Sequence, residues 1–213
     1  AQKRQKEVML QEFQEGPNAA DKIEMRLSLY RKLTVELCLQ GICNGEAKSA
    51  DFVYTFISLW FQYIDDDGIN NAIRPLLKDC PLSVFVPLAH QIVSRIGLNA
   101  PLLTDLIRRL TMTYPYHVIP FLLPIVLSPS KAPVQRERIT LTLLDQLSDP
   151  VQSIKKTYES LFRAYHALIL SNRSKTTKGI PIPLPSVWTQ RSTLQLWSTL
   201  PVITAFVPVL PLE

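Results

Sequence analysis

The sequence predicts an all-α protein, an α-solenoid or irregular stack of helical hairpins with a short extended segment at its C-terminus. Apolar residues recur at helical spacing in successive segments, and helix-capping residues and prolines separate these segments. Only 6 glycines stand against 17 prolines, which leaves little material for glycine-built hairpins between strands. We count about seven or eight helices joined by short turns, without a clean internal sequence period.

The first third of the chain predicts three helices. The first is capped by Asn18 and ends at Gly45. Its apolar residues at near-helical spacing are Ile23, Leu27, Tyr30, Leu33, Leu37 and Ile42. The second is capped by Ser49 and ends at Asp65–Gly68. Its apolar side carries Phe52, Phe56, Leu59, Trp60 and Tyr63. A short third helix is expected around Ile69–Lys78.

Two further helices are predicted in the middle of the chain. The segment "CPLSVFVPLAHQIVSRIG" is typical of one helix closed by Gly97. Asn99 is the candidate cap of the next helix, which has Pro101 in its first turn. The apolar face of that helix consists of Leu102, Leu103, Leu106, Ile107 and Leu110.

The stretch "TMTYPYHVIPFLLPIV" is strongly apolar and yet contains Pro115, Pro120 and Pro124. Proline has no N–H and removes a hydrogen bond from a helix. We predict that Pro115 ends one helix and starts the next, and that Pro120 and Pro124 kink a heavily buried helix. His117 is expected to bond locally rather than to take part in catalysis.

Two long helical segments and an irregular end complete the chain. One helix is predicted in "APVQRERITLTLLDQLSD", and another begins at Asp149 and Pro150. The expected inner stripe of the latter is Val151, Ile154, Tyr158, Leu161, Tyr165 and Leu168. A basic loop, the extended "IPIPLP", a short helix and an edge strand follow. We therefore predict a helical-repeat segment, residues 1–172, and a basic, proline-rich linker with a short helix and strand, residues 173–213.

Composition limits the classes of function. Apolar residues make up 46% of the chain and charged residues 19%, as in ordinary globular proteins. The net charge of +5 comes without a dense basic block, which argues against direct nucleic-acid binding. No apolar run reaches the length of a membrane span, and the first residues lack the apolar core of a signal peptide. The basic groups that could meet phosphate or an acidic partner, or form solvated faces, are Arg108–Arg109, Lys155–Lys156 and "NRSKTTK".

No catalytic, cofactor-binding or metal-binding residue is predicted. An EF-hand alignment of "YIDDDGINNAIR" on Gly68 puts Tyr63 and Arg74 where the loop needs acidic ligands, so a helix stop and turn is favoured. No phosphate-binding loop or nucleophile motif is present. The cysteines, expected to be structural thiols in a reducing compartment, are Cys38, Cys43 and Cys80. The histidines, isolated in sequence, are His90, His117 and His166.

Six segments occur in a recognisable order. They are "ADFVYTFISLWFQYIDDDGINNAI", "FVPLAHQIVSRIG", "LLTDLIRRLTMTYPYHVIPFLL", "ESLFRAYHALILSN", "TTKGIPIP" and "FVPVLPLE". Their succession resembles the C-terminal part of the FAT domain of ATM-like kinases, within the phosphatidylinositol-kinase-related serine/threonine protein kinases. The resemblance runs from about Leu33 to Glu213 and leaves ATM-like and ATR-like members open.

The resemblance implies a non-catalytic scaffold or regulatory segment of a very large nuclear kinase in DNA-damage checkpoint signalling and telomere maintenance. Its partners would be the adjoining kinase domain, other helical segments of the parent chain and a second copy in a homodimer. ATP and Mg would bind only in the kinase domain, so no catalytic residue carries over to this chain. The residues alone also allow an independent helical-repeat adaptor for protein–protein interaction, or DNA binding through the basic loop.

Overall fold

The computed structural model describes residues 19–45, 49–98, 100–127, 134–173, 186–188 and 190–200. Within these ranges it contains nine α-helices and two short 3₁₀ helices and no β-strand, which confirms the all-α class. The chain divides into two compact units, Ala1–Cys80 and Pro81–Glu213. The predicted extended C-terminal segment, the "IPIPLP" segment and the Asn18 and Asn99 caps lie outside the described residues. The division at residues 172 and 173 stays a prediction.

The first unit consists of three helices around one core. They are α1 (Ala19–Cys43), α2 (Ser49–Gln62) and α3 (Asp67–Asp79), and α1 packs against both of the others. The largest fully buried side chains of this unit are Leu39, Ile42, Phe56, Trp60, Ile69, Ile73 and Leu77. The indole N–H of Trp60 donates to Asn70 Oδ1 at 2.9 Å, so the buried ring keeps a hydrogen-bond partner.

The acidic run between α2 and α3 is a helix-capping turn. The Asp66 carboxylate accepts a hydrogen bond from the Ile69 N–H at 3.1 Å and caps α3. The Asn70 side chain donates to the Ile64 carbonyl at 2.7 Å and closes the same turn. These contacts match the stop and turn that the sequence favours for this segment.

The first half of α1 differs from the sequence expectation. The buried face of the helix is formed by Val35, Cys38, Leu39 and Ile42, all near its C-terminal end. Of the six residues at near-helical spacing only Ile42 is buried; the exposed ones are Ile23, Leu27, Tyr30, Leu33 and Leu37. Apolar residues in this segment lie on several sides of the helix, and α2 and α3 cover only the end that carries Val35 to Ile42.

The second unit contains six α-helices and both 3₁₀ helices. They are a 3₁₀ helix (Leu82–Leu88), α4 (Ala89–Ser94), α5 (Pro101–Thr113), α6 (Pro115–Leu127), α7 (Val134–Asp145), α8 (Asp149–Arg173), a 3₁₀ helix (Ser186–Trp188) and α9 (Arg191–Trp197). The five leucines and isoleucines predicted to form the apolar face of α5 are all buried. No helix within the described ranges is both long and apolar enough to cross a membrane.

The prediction of a single helix before Gly97 is wrong. This segment forms a 3₁₀ helix followed by the short α4, and Pro87 lies inside the 3₁₀ part. Proline has no N–H to donate and disfavours an α-helical conformation in the residue before it, so the chain takes a tighter turn there.

Gly97 allows this segment to pass close to α7. Its φ is +102°, and a β-carbon built on it would lie 2.8 Å from Arg136 Cβ and 3.1 Å from Arg136 Cα. Gly45 also has a positive φ, +69°, but has nothing within 4 Å of the corresponding position. The two glycines therefore share a backbone conformation that disfavours other residues, and they differ in crowding.

Gly97→Ala is expected to destabilise the chain more than Gly45→Ala. Positive φ costs a side-chain-bearing residue about 1–3 kcal/mol at either position, and only Gly97→Ala adds a clash with the α7 backbone. Urea unfolding of the two variants and the parent chain measures the difference. Equal losses would contradict the close approach of Gly97 to Arg136.

Candidate interaction site

The proline-bearing helix α6 lies at the centre of the second unit, where it packs against α4, α5, α7 and α8. Pro115 starts α6 directly after Tyr114, which caps α5, so the predicted helix boundary is confirmed. Its buried residues are Pro115, His117, Val118, Ile119, Leu122 and Leu123. Pro120 is half-buried and Pro124 is exposed. The helix runs continuously through both, and the kink there stays a prediction.

Tyr158 of α8 provides a donor that Pro120 cannot provide. In an α-helix the N–H of residue 120 would bond to the carbonyl of Tyr116, and proline has no such N–H. The Tyr158 hydroxyl donates to that Tyr116 carbonyl at 3.3 Å. Burial, with Tyr116 adding to it, raises the pKa of Tyr158 to about 12, so the hydroxyl keeps its proton at neutral pH. The hydrogen bond joins α6 and α8.

An aromatic cluster attaches the last described elements to α8. The indole N–H of Trp188 donates to the Ala164 carbonyl at 3.3 Å. The Trp188 ring meets Tyr165 edge-on at a centroid distance of 4.9 Å and Trp197 at 5.0 Å. Edge-to-face pairs at these distances are favourable beyond the area they bury. We call Tyr165, Trp188 and Trp197 the aromatic cluster.

An open groove of about 710 Å³ adjoins this cluster between α6 and α8. We call it the α6–α8 groove. Its apolar lining consists of Pro124 and Leu127 from α6 and Phe162, Tyr165, Ala167 and Ile169 from α8, with Arg163 and His166 beside them. Tyr165, expected on the inner stripe of α8, is 49% exposed, and Ile169 is 56% exposed. Exposed apolar side chains along a helix pair are typical of a surface that packs against another protein segment.

The described cysteines and histidines are distributed over α1, the end of α3, α4, α6 and α8. No group of three or more His, Cys, Asp or Glu residues there could hold a metal ion. Cys38 and Cys80 are buried, and burial raises the pKa of the Cys38 thiol. Burial lowers the pKa of His117, whose ring lies edge-on to Tyr114 at 6.5 Å between centroids. His90 and His166 are exposed on α4 and α8.

Two of the basic groups that the sequence singles out form ion pairs with nearby carboxylates. Arg108 donates to Asp105 at 2.7 Å within α5. Lys155 lies 3.8 Å from the Asp145 carboxylate at the end of α7. Most of "NRSKTTK" lies outside the described residues.

The sequence of this chain is similar to parts of much longer serine/threonine-protein kinases. The chain is 25% identical over 178 residues to the serine/threonine-protein kinase TEL1 of Gibberella zeae and 24% identical over 212 residues to the serine/threonine-protein kinase ATM of Arabidopsis thaliana. The matches cover 76% and 89% of this chain. The chain is similar to one segment of the Tel1 and ATM kinases. It spans only 6% and 5% of the length of these relatives.

The fold agrees with the sequence similarity. A solved structure described as the open conformation of CtTel1 matches 97% of this Tel1- and ATM-like chain with a TM-score of 0.68 and 22% identity, over 8% of its own length. A serine/threonine-protein kinase tel1 of Aspergillus oryzae is 30% identical over 105 residues, which is 46% of this chain. No protein-family model matches the chain.

The contacts that organise this Tel1- and ATM-like segment were missed by sequence reasoning. Helical periodicity places Tyr158 on an inner stripe but gives it no partner, and the sequence indicates no contact for Trp188 or Trp197. The one local signal was Pro120, because a proline inside an apolar helix leaves a carbonyl that another element must satisfy.

Tyr158→Phe is expected to lower the free energy of unfolding by about 1 kcal/mol, because the Tyr116 carbonyl loses its donor. In a Pro120→Ala background the same substitution should cost less, since alanine supplies a backbone N–H for that carbonyl. Denaturant unfolding of the four proteins forms a double-mutant cycle. An equal cost in both backgrounds would contradict the link between Pro120 and Tyr158.

Stability is also expected to fall in alkaline solution because of Tyr158. Its pKa is about 12 in the folded chain against an ordinary value of 10.0, so its contribution is complete below pH 10 and is lost as the pH rises towards 12. The readout is the difference between the parent chain and Tyr158→Phe, in which contributions common to both proteins cancel. A difference that does not change between pH 9 and pH 12 would argue against a buried, protonated Tyr158.

Proposed function

We propose that this chain is a non-catalytic helical scaffold within a large ATM-like serine/threonine protein kinase that acts in DNA-damage checkpoint signalling and telomere maintenance. The observation that carries the proposal is the similarity to Tel1 and ATM kinases, which extends over most of this chain and over a small part of each relative. In that setting the kinase domain, with its ATP and Mg, belongs to another part of the polypeptide. The parent protein would be nuclear and homodimeric.

The proposed role of the chain is to hold the kinase domain in position. In the resembled family the segment after the FAT helices leads to the first strand of the kinase domain. Here the aromatic cluster attaches the second 3₁₀ helix and α9 to α8, and α8 is in turn joined to α6 through Tyr158. These contacts, which connect α6 with α9 through α8, support a role in orienting the chain that follows.

The exposed half of α1 favours a segment of a larger protein over an independent adaptor module. Residues 21–30 are all exposed and include Ile23, Met25, Leu27, Leu29 and Tyr30. A helix that is apolar on several sides is ordinarily covered by neighbouring elements. An independent module should instead remain monomeric and unfold cooperatively when purified.

The scaffold proposal predicts that Tyr165→Ala reduces the activity of the complete kinase. We expect the rate of phosphorylation of a Ser-Gln peptide with Mg-ATP to fall several-fold, because Trp188 loses its ring contact with α8. Tyr54→Ala is the matched control, since Tyr54 is 55% exposed on α2 and makes no ring contact among the described residues. The purified 213-residue chain should show no phosphorylation in the same assay.

Two results would contradict this proposal. Equal activity of the two complete variants and the parent kinase would remove the aromatic cluster from the positioning role. Phosphorylation by the isolated chain would contradict the assignment of catalysis to another part of the polypeptide. A melting temperature for each variant separates a positioning effect from loss of folding.

A further inference from the structure

A second groove, of about 420 Å³, lies between α5 and α7. We call it the α5–α7 groove. Its apolar side chains are Ile139, which is half-buried, and Leu143, which is buried. Arg108 of α5 and Arg138 of α7 line the same groove from two different helices. Four uncharged polar residues complete the lining: Thr104, Gln135, Thr142 and Gln146.

The two arginines are available to a ligand. Arg138 is exposed and makes no ion pair within the described ranges of the chain. Arg108 pairs with Asp105 at 2.7 Å, but both side chains are between 41% and 48% exposed. Exposed pairs of this kind contribute at most about 1 kcal/mol, so a ligand carboxylate can replace Asp105 at little cost.

The hydroxyls of the groove are already engaged, which limits what it can bind. Thr104 donates to the Ala100 carbonyl and Thr142 to the Arg138 carbonyl, so both are committed to their own helices. The remaining side-chain donors are the guanidinium groups and the amides of Gln135 and Gln146. Guanidinium forks and amides suit carboxylate oxygens, and the apolar residues between them suit an aliphatic side chain.

The charge of the second unit supports an acidic partner. Residues 81–213 carry 13 Lys and Arg against 6 Asp and Glu, a net charge of +7, whereas residues 1–80 carry 10 against 12, a net charge of −2. The mild positive charge of the whole chain therefore comes from the second unit. A positive field of this kind speeds the encounter with acidic segments.

We propose that the α5–α7 groove binds an acidic peptide segment in which an aliphatic side chain is flanked by Asp or Glu. The aliphatic side chain packs on Ile139 and Leu143 while the carboxylates meet Arg108 and Arg138. Nucleic acid fits less well, because its backbone requires a longer row of cations and Asp105 lies beside Arg108. This inference goes beyond the scaffold role and does not depend on it.

The test uses the full 213-residue chain and a fluorescein-labelled peptide of alternating Glu and Leu. Fluorescence anisotropy should show saturable binding that weakens with added salt. Arg108→Gln and Arg138→Gln should each raise the Kd by about fivefold or more. Arg74→Gln is the matched control, because Arg74 is exposed on α3 and lines neither this groove nor the α6–α8 groove. Melting temperatures should be unchanged, since all three arginines are exposed.

Several results would overturn the proposal. These are absence of binding, equally tight binding of a peptide with Gln in place of Glu, or equal weakening by Arg74→Gln. A labelled DNA duplex that binds more tightly than the acidic peptide, and loses affinity with Arg108→Gln and Arg138→Gln, would assign the groove to nucleic acid instead.

Discussion

A proline inside a packed helix leaves one carbonyl without its helical donor, and in α6 the Tyr158 hydroxyl of α8 donates to that carbonyl. Four other helices of the second unit pack against α6, so the position of α6 determines where their apolar faces can be buried. The same hydrogen bond fixes α8 beside α6. Through the contacts of Trp188 with Ala164 and Tyr165, α8 then holds the last described elements.

Local patterns in the sequence predict much of the fold. Pro101 and Pro115 start helices where expected, the apolar face of α5 is buried as predicted, and the acidic run before α3 is a capped turn. These features depend on residues that are neighbours along the chain. The contact of Tyr158 with Tyr116 joins residues 42 positions apart, and nothing local to either residue specifies the other.

Exposure is the property that periodicity predicts least well. Helical spacing shows which side chains share a face, but not whether anything covers that face. In α1 the predicted stripe is exposed except for Ile42, and burial starts only at Val35. In α8, Tyr165 is half exposed and yet joins the aromatic cluster and the α6–α8 groove. Such residues are where a segment of a larger assembly would meet its neighbours, which is consistent with the proposed scaffold role.

Hydrogen–deuterium exchange of the 213-residue chain tests the central position of α6 most directly. If the second unit depends on α6, the amides of Val118, Ile119, Phe121, Leu122 and Leu123 should be among the slowest to exchange in that unit, and Tyr158→Phe should speed them more than those of α9. Exchange of these amides as fast as in the exposed first half of α1 would contradict the account.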